Sequence, residues 1–263
     1  VNLTPLIISA PFGNWLESPY VTSTIGTYTV ENRAGFMRWW LLWRLARTLR
    51  PRFGLGGWTN KLGLPNPGLA HLERLIVDMG PEWTCRKIVS IHGFNEREWD
   101  MLLSALTGAR FLALELNISC PNVGHLSVPE DLFEKALKTG VSVIAKLPPV
   151  RYWRTFLRAY DSGVRVFHAT NTLPVPSGGL SGRALKPIAL DVIERMKEAK
   201  PDITVIGGGG IGAPQDLDDF HAAGADHYAV GSKLLTPKYW FHGIRDRFFI
   251  RLTSRADVLK ARA

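Results

Sequence analysis

Val141–Pro149 reads VSVIAKLPP, an apolar and partly β-branched run interrupted by one lysine and stopped by two prolines. A strand apolar on both faces belongs to a parallel sheet covered by helices, and proline ends it because its nitrogen has no proton to donate to the ladder. Lys146 is costly inside such a strand unless it meets an anionic or electron-rich partner. Contact with a ligand is therefore favoured over a stem that reaches solvent. The same pattern recurs on both sides: KIVSIHG (87–93), FLALELNIS (111–119), VRVFHATNT (164–172), DITVIGGGG (202–210) and ADHYAVGS (225–232). Helix-like stretches lie between these runs, such as NEREWDMLLSALTG (95–108), PEDLFEKALKTG (129–140) and LKPIALDVIERMKEAK (185–200). Six successive units predict a parallel α/β sheet, and two further strands at LIISAP (6–11) and TSTIGTYT (22–29) bring the count to the eight of a closed (β/α)8 TIM barrel. Only Asn14–Thr24 separates SAPFG from IGTYT, short for a parallel crossover with its helix, so the N-terminal βα unit is expected to be shortened or rebuilt.

Polar residues gather at the ends of these strands: Asn117, Ser119 and Cys120, then Lys146, then Asn171 and Thr172, then the glycines from Gly207, then Gly231 and Ser232. That is the face where barrels place their chemistry, although an open doubly wound sheet would also put a site at its strand ends.

The 263 residues, 46% of them hydrophobic, suffice for one large core, and the whole of 1–263 is read as a single domain. Two cysteines, Cys85 and Cys120, exclude a disulfide scaffold, an iron–sulfur cluster bound within the chain and a zinc ribbon. No metal is expected, since the seven histidines have no ligand-like spacing. The absence of a long apolar run predicts neither a spanning helix nor a signal peptide, and a cytoplasmic setting is expected. The net charge of +9 is local: seven basic residues and no acids occupy 32–72, and eight basic residues against two acids occupy 233–263. Within the first of these, FMRWWLLWRLARTLRPR (36–52) reads as a basic, Trp/Arg-rich helical insertion. It would cap the barrel, lie peripherally on a membrane or meet an acidic partner.

GGGGIG (207–212) fits the spacing of a dinucleotide fingerprint, but Pro214 follows closely and no ribose-binding acid comes at the right distance. Late in a barrel, these glycines and the following Gly231–Ser232 instead suit one phosphate, and hence a mononucleotide. Cys120 in ELNISCPN is either a buried thiol or, with Pro121 and flanking amides placing it in a loop, a general base near neutral pH.

ELNISCPN, AKLPP, NT, GGLSG, IGGGGI and NKLGLPNPG, in this order of use and spread from Thr59 to Leu235, resemble the dihydroorotate dehydrogenase family, chiefly its cysteine-type class 1 members. The resemblance implies an FMN barrel that oxidises dihydroorotate to orotate in pyrimidine biosynthesis, with Cys120 as the base and hydride passing to flavin. It implies a substrate site of Asn60, Gly63, Leu64, Asn117, Asn122, Asn171 and Thr172. A cofactor site of Ala10, Thr27, Asn117, Lys146, Gly182, Gly209, Gly210, Gly231 and Ser232 is implied too, with Val123–Pro129 as a lid. Two departures stand out. The family's lysine beside flavin and substrate falls on Gly26 or Ser23 here, and its turn and hairpin after the second strand are expected to be replaced by the 36–52 segment. A nicotinamide acceptor would need a separate iron–sulfur subunit; fumarate or a quinone would not. Another dihydropyrimidine substrate, including dihydrouridine in tRNA, and a non-catalytic flavin-binding homologue are the alternatives. The expected partner is a small dihydropyrimidine rather than nucleic acid, with a homodimer left open.

Overall fold

The computed structural model describes residues 2–33, 50–52, 56–118 and 128–261. Eight parallel strands close a barrel: β1 (Leu6–Ile8), β2 (Thr22–Tyr28), then, after two short strands described below, β5 (Lys87–Ile91), β6 (Ala113–Asn117), β7 (Val143–Leu147), β8 (Val166–Ala169), β11 (Thr204–Gly208) and β12 (His227–Val230). Each strand pairs with its sequence neighbours within this set, and β1 closes the ring by pairing with both β12 and β2. The barrel expected from the recurring strands is the barrel observed.

Strand alternation divides the core in two. Outward residues such as Val89, Leu114, Ala145, Phe167 and Val205 pack under the helices, while Ile7, Ile88, Ala113, Ile144, Ile206 and Ala229 fill the barrel interior. One layer further along the strands, Ser90, Glu115, Lys146 and His168 occupy inward positions and are all buried. The interior therefore changes from apolar to polar toward the C-terminal mouth.

The covering helices are α1 (Leu69–Thr84), α2 (Glu96–Leu106), α3 (Leu132–Lys138), α4 (Trp153–Asp161), α5 (Lys186–Ala199), α6 (Pro214–Ala222) and α7 (His242–Lys260). In α2 the buried residues Trp99, Leu102, Leu103 and Leu106 recur at the spacing of one helical face. Its start is fixed by Asn95, whose side chain accepts from Glu98 N at 2.9 Å, while the Glu98 carboxylate accepts from Phe94 N at 3.1 Å. Fully buried side chains such as Phe156, Phe167 and Phe220 each contribute roughly 2 kcal/mol by removal from water.

Between β1 and β2 the only described helix is a single 3-10 turn, Phe12–Asn14, so the first unit is shortened as expected. A second sheet was not foreseen. β3 (Arg50–Arg52), β4 (Gly57–Asn60), β9 (Leu173–Val175) and β10 (Gly178–Gly182) form an antiparallel sheet in the order β3-β4-β10-β9. A hairpin is thus present where the sequence suggested its replacement, and Arg50–Arg52, read as the end of a helix, is a strand paired with Gly57–Thr59. Pro51 is compatible with this position at the edge of the sheet among the described strands. The rest of the 36–52 segment lies outside the described residues.

Candidate active site

The C-terminal ends of the barrel strands and one side of the second sheet enclose a cavity of about 1140 Å³, part of it open to solvent. Its wall brings together residues from across the chain. Asn60 and Leu64 come from β4 and the turn after it, Asn117 from β6, Lys146 from β7, and Asn171 and Thr172 from the loop after β8. Ala10, Thr27, Gly182, Gly209, Gly210, Gly231 and Ser232 line the same space. Gly63 does not: its carbonyl accepts from Arg33 Nε at 2.9 Å, and Leu62, Leu64 and Pro65 stand on the wall instead. Cys120, Asn122 and Ser119 lie outside the described residues, as does most of the Val123–Pro129 segment.

Local chemistry explains these placements. Backbone bonds from Thr170 N to Gly208 O (3.0 Å) and from Asn171 N to Leu147 O (2.9 Å) tie the loop after β8 to the strands on either side. Asn171 Nδ2 donates to Asn117 Oδ1 at 2.9 Å, and Thr172 N donates to Asn171 Oδ1 at 2.8 Å. On the other side of β6, His92 Nδ1 lies 2.7 Å from the Asn117 carbonyl. Gly178, at φ +120°, lets β10 pass close to β4: a Cβ there would stand 2.2 Å from the Asn60 carbonyl oxygen.

Beneath the wall lies a buried charge cluster that the sequence reading missed. Glu115, 1% exposed, accepts from Ser90 Oγ at 2.8 Å, meets His168 Nδ1 at 2.7 Å and stands 3.5 Å from Lys146 Nζ. Burial alone would raise its carboxyl, but the Lys146 charge, the His168 contact and the Ser90 hydroxyl outweigh burial and hold it at about 2. His168 is pushed below its ordinary value by burial and by Lys146, against the pull of Glu115. The cluster is thus a carboxylate and an ammonium with a neutral imidazole, as burial of charge requires. A signal was present in the sequence: Glu115 lies two residues before Asn117 in an apolar strand, hence on the same face. The anionic partner that Lys146 demanded exists within the chain, in addition to the cavity it faces.

The wall suits a cofactor that carries a phosphate. The turn after β11 uses Gly209 and Gly210 at φ +117° and +109°, and the turn after β12 uses Gly231. Both let backbone approach a bound group closely, at the strand pair where barrels hold phosphate. Thr170 Oγ1, on the cavity wall, is buried with no hydrogen-bond partner among the described residues, and so can take one from a bound group. Gly208 leaves room for His168, whose Nε2 would lie 3.3 Å from a Cβ at that position. Among the described residues no group of His, Cys, Asp and Glu could hold a metal ion, and no helix is long and apolar enough to cross a membrane.

The Dihydroorotate dehydrogenase family profile matches residues 155–251. The chain is 32% identical over 229 residues to a Listeria innocua protein named dihydroorotate dehydrogenase B (NAD(+)), catalytic subunit, covering 77% of this chain and 74% of that one. It is 31% identical over 237 residues to the Streptococcus pneumoniae protein of the same name, covering 74% of each. In fold it is similar to the ligand-free DHODH of Eimeria tenella, with a TM-score of 0.76 and 16% identity over 97% of this chain and 84% of that one. With identity above 30% spread over about three quarters of its relatives, the chain belongs to the dihydroorotate dehydrogenase family.

Proposed function

We propose that this protein oxidises dihydroorotate to orotate in pyrimidine biosynthesis, with FMN as its flavin. The observation that carries the proposal is the convergence of three asparagines, one lysine and the glycine turns after β11 and β12 on one cavity at the barrel mouth. When bound, FMN supplies the acceptor for the hydride leaving substrate C6. The chain's residues do the rest. Cys120 takes the proton from C5; a thiol of ordinary acidity can do so near neutral pH once it is partly exposed. Asn60, Asn117, Asn122 and Asn171, with Thr172, hold the pyrimidine edge and its carboxylate, because amides match a ring edge that both donates and accepts. Lys146 faces the cofactor as a fixed cation in a site of low dielectric, where it favours negative charge developing on the bound ring. Gly182, Gly209, Gly210, Gly231 and Ser232 hold the cofactor through their backbone.

The Listeria and Streptococcus relatives are named as catalytic subunits of an NAD(+) enzyme. By analogy NAD+ is the final oxidant here. With two cysteines in the whole chain, electrons would reach it through a second subunit that carries its own redox centre. Such an assembly belongs in the cytoplasm, where pyrimidine synthesis and NAD+ meet.

The test is the visible spectrum of the FMN-reconstituted protein under anaerobic conditions. Dihydroorotate is expected to bleach the flavin band; a band that persists would refute the substrate, and failure to retain FMN would refute the cofactor. Turnover left unchanged by Cys120→Ser would remove the cysteine from its role as base.

A further inference from the structure

We propose that Glu115 is a positioning residue which, through Ser90 and Thr27, fixes which way round the amides of Asn117 and Asn171 stand in the cavity wall. The inference rests on the reading that the cavity holds a pyrimidine substrate, and it deepens that reading by naming what the wall recognises.

The argument is one of proton counting. Glu115 lies 3.5 Å from Lys146 Nζ and 2.7 Å from His168 Nδ1, so it is an anion and can only accept. Ser90 has one hydroxyl proton, and the 2.8 Å contact with Glu115 uses it. The 3.0 Å contact between Ser90 Oγ and Thr27 Oγ1 is then a hydrogen bond only if Thr27 donates. With its own proton used, Thr27 can only accept from Asn117 at 2.8 Å, which requires the amide nitrogen of Asn117 to face it. That turns Asn117 Oδ1 toward Asn171, which in turn must present its nitrogen, at 2.9 Å. Four consecutive hydrogen bonds therefore point one way, toward the buried carboxylate. A neutral acid at Glu115 could donate to Ser90 and reverse the whole series.

The consequence lies at the wall. Thr27, Asn117 and Asn171 line the cavity, whereas Ser90 and Glu115 do not. With this polarity Asn117 keeps a second N–H that has no partner among the described residues, and offers it to an acceptor oxygen of the bound molecule. The reverse polarity would turn its carbonyl there and repel a carboxylate or ring carbonyl. A chain with no lysine at Ser23 or Gly26 on β2 thus still presents a donor to an anionic, acceptor-rich substrate, because a carboxylate beneath the wall orders neutral dipoles above it.

Ser90→Ala cuts the series at a residue that does not touch the ligand. In FMN-loaded protein the orotate Kd, read from the flavin spectrum, is expected to rise about tenfold, the loss of one well-placed hydrogen bond. FMN affinity should stay near wild type, the thermal midpoint should fall because Glu115 loses a buried donor, and Ser90→Thr, which keeps the hydroxyl, should restore both stability and orotate binding. General loosening of the site would move FMN affinity as well and would overturn the proposal, as would unchanged orotate binding in Ser90→Ala. A second measurement needs no substrate: the side-chain amide 15N–1H signals of Asn117, assigned by mutagenesis, should shift in Ser90→Ala and return in Ser90→Thr. Unmoved signals would overturn the wiring. Wild-type protein that binds no orotate, with the amide signals behaving as expected, would refute the proposed substrate and leave the wiring standing.

Discussion

Replacing Lys146 by methionine tests the buried cluster directly, since the substitution keeps an unbranched stem and removes only the charge. In the wild type the Glu115 carboxylate is buried with Lys146 Nζ at 3.5 Å, His168 Nδ1 at 2.7 Å and Ser90 Oγ at 2.8 Å. Two of those contacts survive Lys146→Met, but the cation among them is lost. Breaking a buried pair from one side costs about 3 to 5 kcal/mol, because the remaining charge has no water to turn to. For a chain of this size that is on the order of a 10 °C fall in thermal midpoint at neutral pH. The site can escape by taking up a proton, on Glu115 or on His168. Folded Lys146→Met then binds more protons than wild type, so the stability difference should be largest near pH 7 and shrink as pH falls toward 5. The double variant Lys146→Met/Glu115→Gln removes both charges and should recover most of the loss. Urea denaturation followed by tryptophan fluorescence at pH 7 and pH 5 measures all of this. Equal stability of single and double variants at pH 7, or a difference independent of pH, would refute the reasoning.

Three further outcomes are expected. Acid should destabilise the protein in two stages. Burial, first among the causes, holds His92, His168 and His227 below 6.5, so the unfolded chain takes up their protons first as pH falls below 6.5. Glu115 contributes stability above its unfolded value of about 4.5 and loses it as pH falls toward about 2, a term on the order of 3 kcal/mol; a pH series of denaturation curves without this second stage would contradict it. Gly178→Ala places a Cβ 2.2 Å from the Asn60 carbonyl at φ +120°; it should cost about 1–3 kcal/mol in backbone strain and weaken orotate binding together with it, as calorimetry on the same sample would read. Asn95→Ala removes the cap of α2 at a residue that does not line the cavity, and should lower stability by about 1 kcal/mol with FMN and orotate affinities unchanged.

The barrel was legible because its signal is local and repeated. Each strand is a short apolar run, each covering helix shows one apolar face, and handedness and pairing of βα units leave few arrangements open. The second sheet was not legible for the opposite reason. Its strands of three to five residues come from places more than a hundred residues apart, as in the pairing of Gly57 with Gly182, and such short segments carry little periodicity of their own. Pro51 and the arginines beside it suit a helix end or an edge strand equally well, and pairing with β4 decided between them.

The site divides along the same line. Sequence alone determined that Asn117, Lys146, Asn171 and the glycines from Gly207 would meet at one face, because residues at the ends of parallel strands must converge when the sheet closes. It also determined that Lys146 needed an anionic or electron-rich partner. Only the tertiary structure decided that one such partner is a carboxylate within the chain, and what it does. Glu115, Ser90 and Thr27 sit on three different strands and become neighbours through register, and the polarity of their hydrogen bonds exists only once a carboxylate is enclosed with an ammonium and an imidazole. A linear pattern records which faces are apolar; it does not record which buried protons point where, since that depends on distances of about 3 Å between residues that the chain keeps far apart.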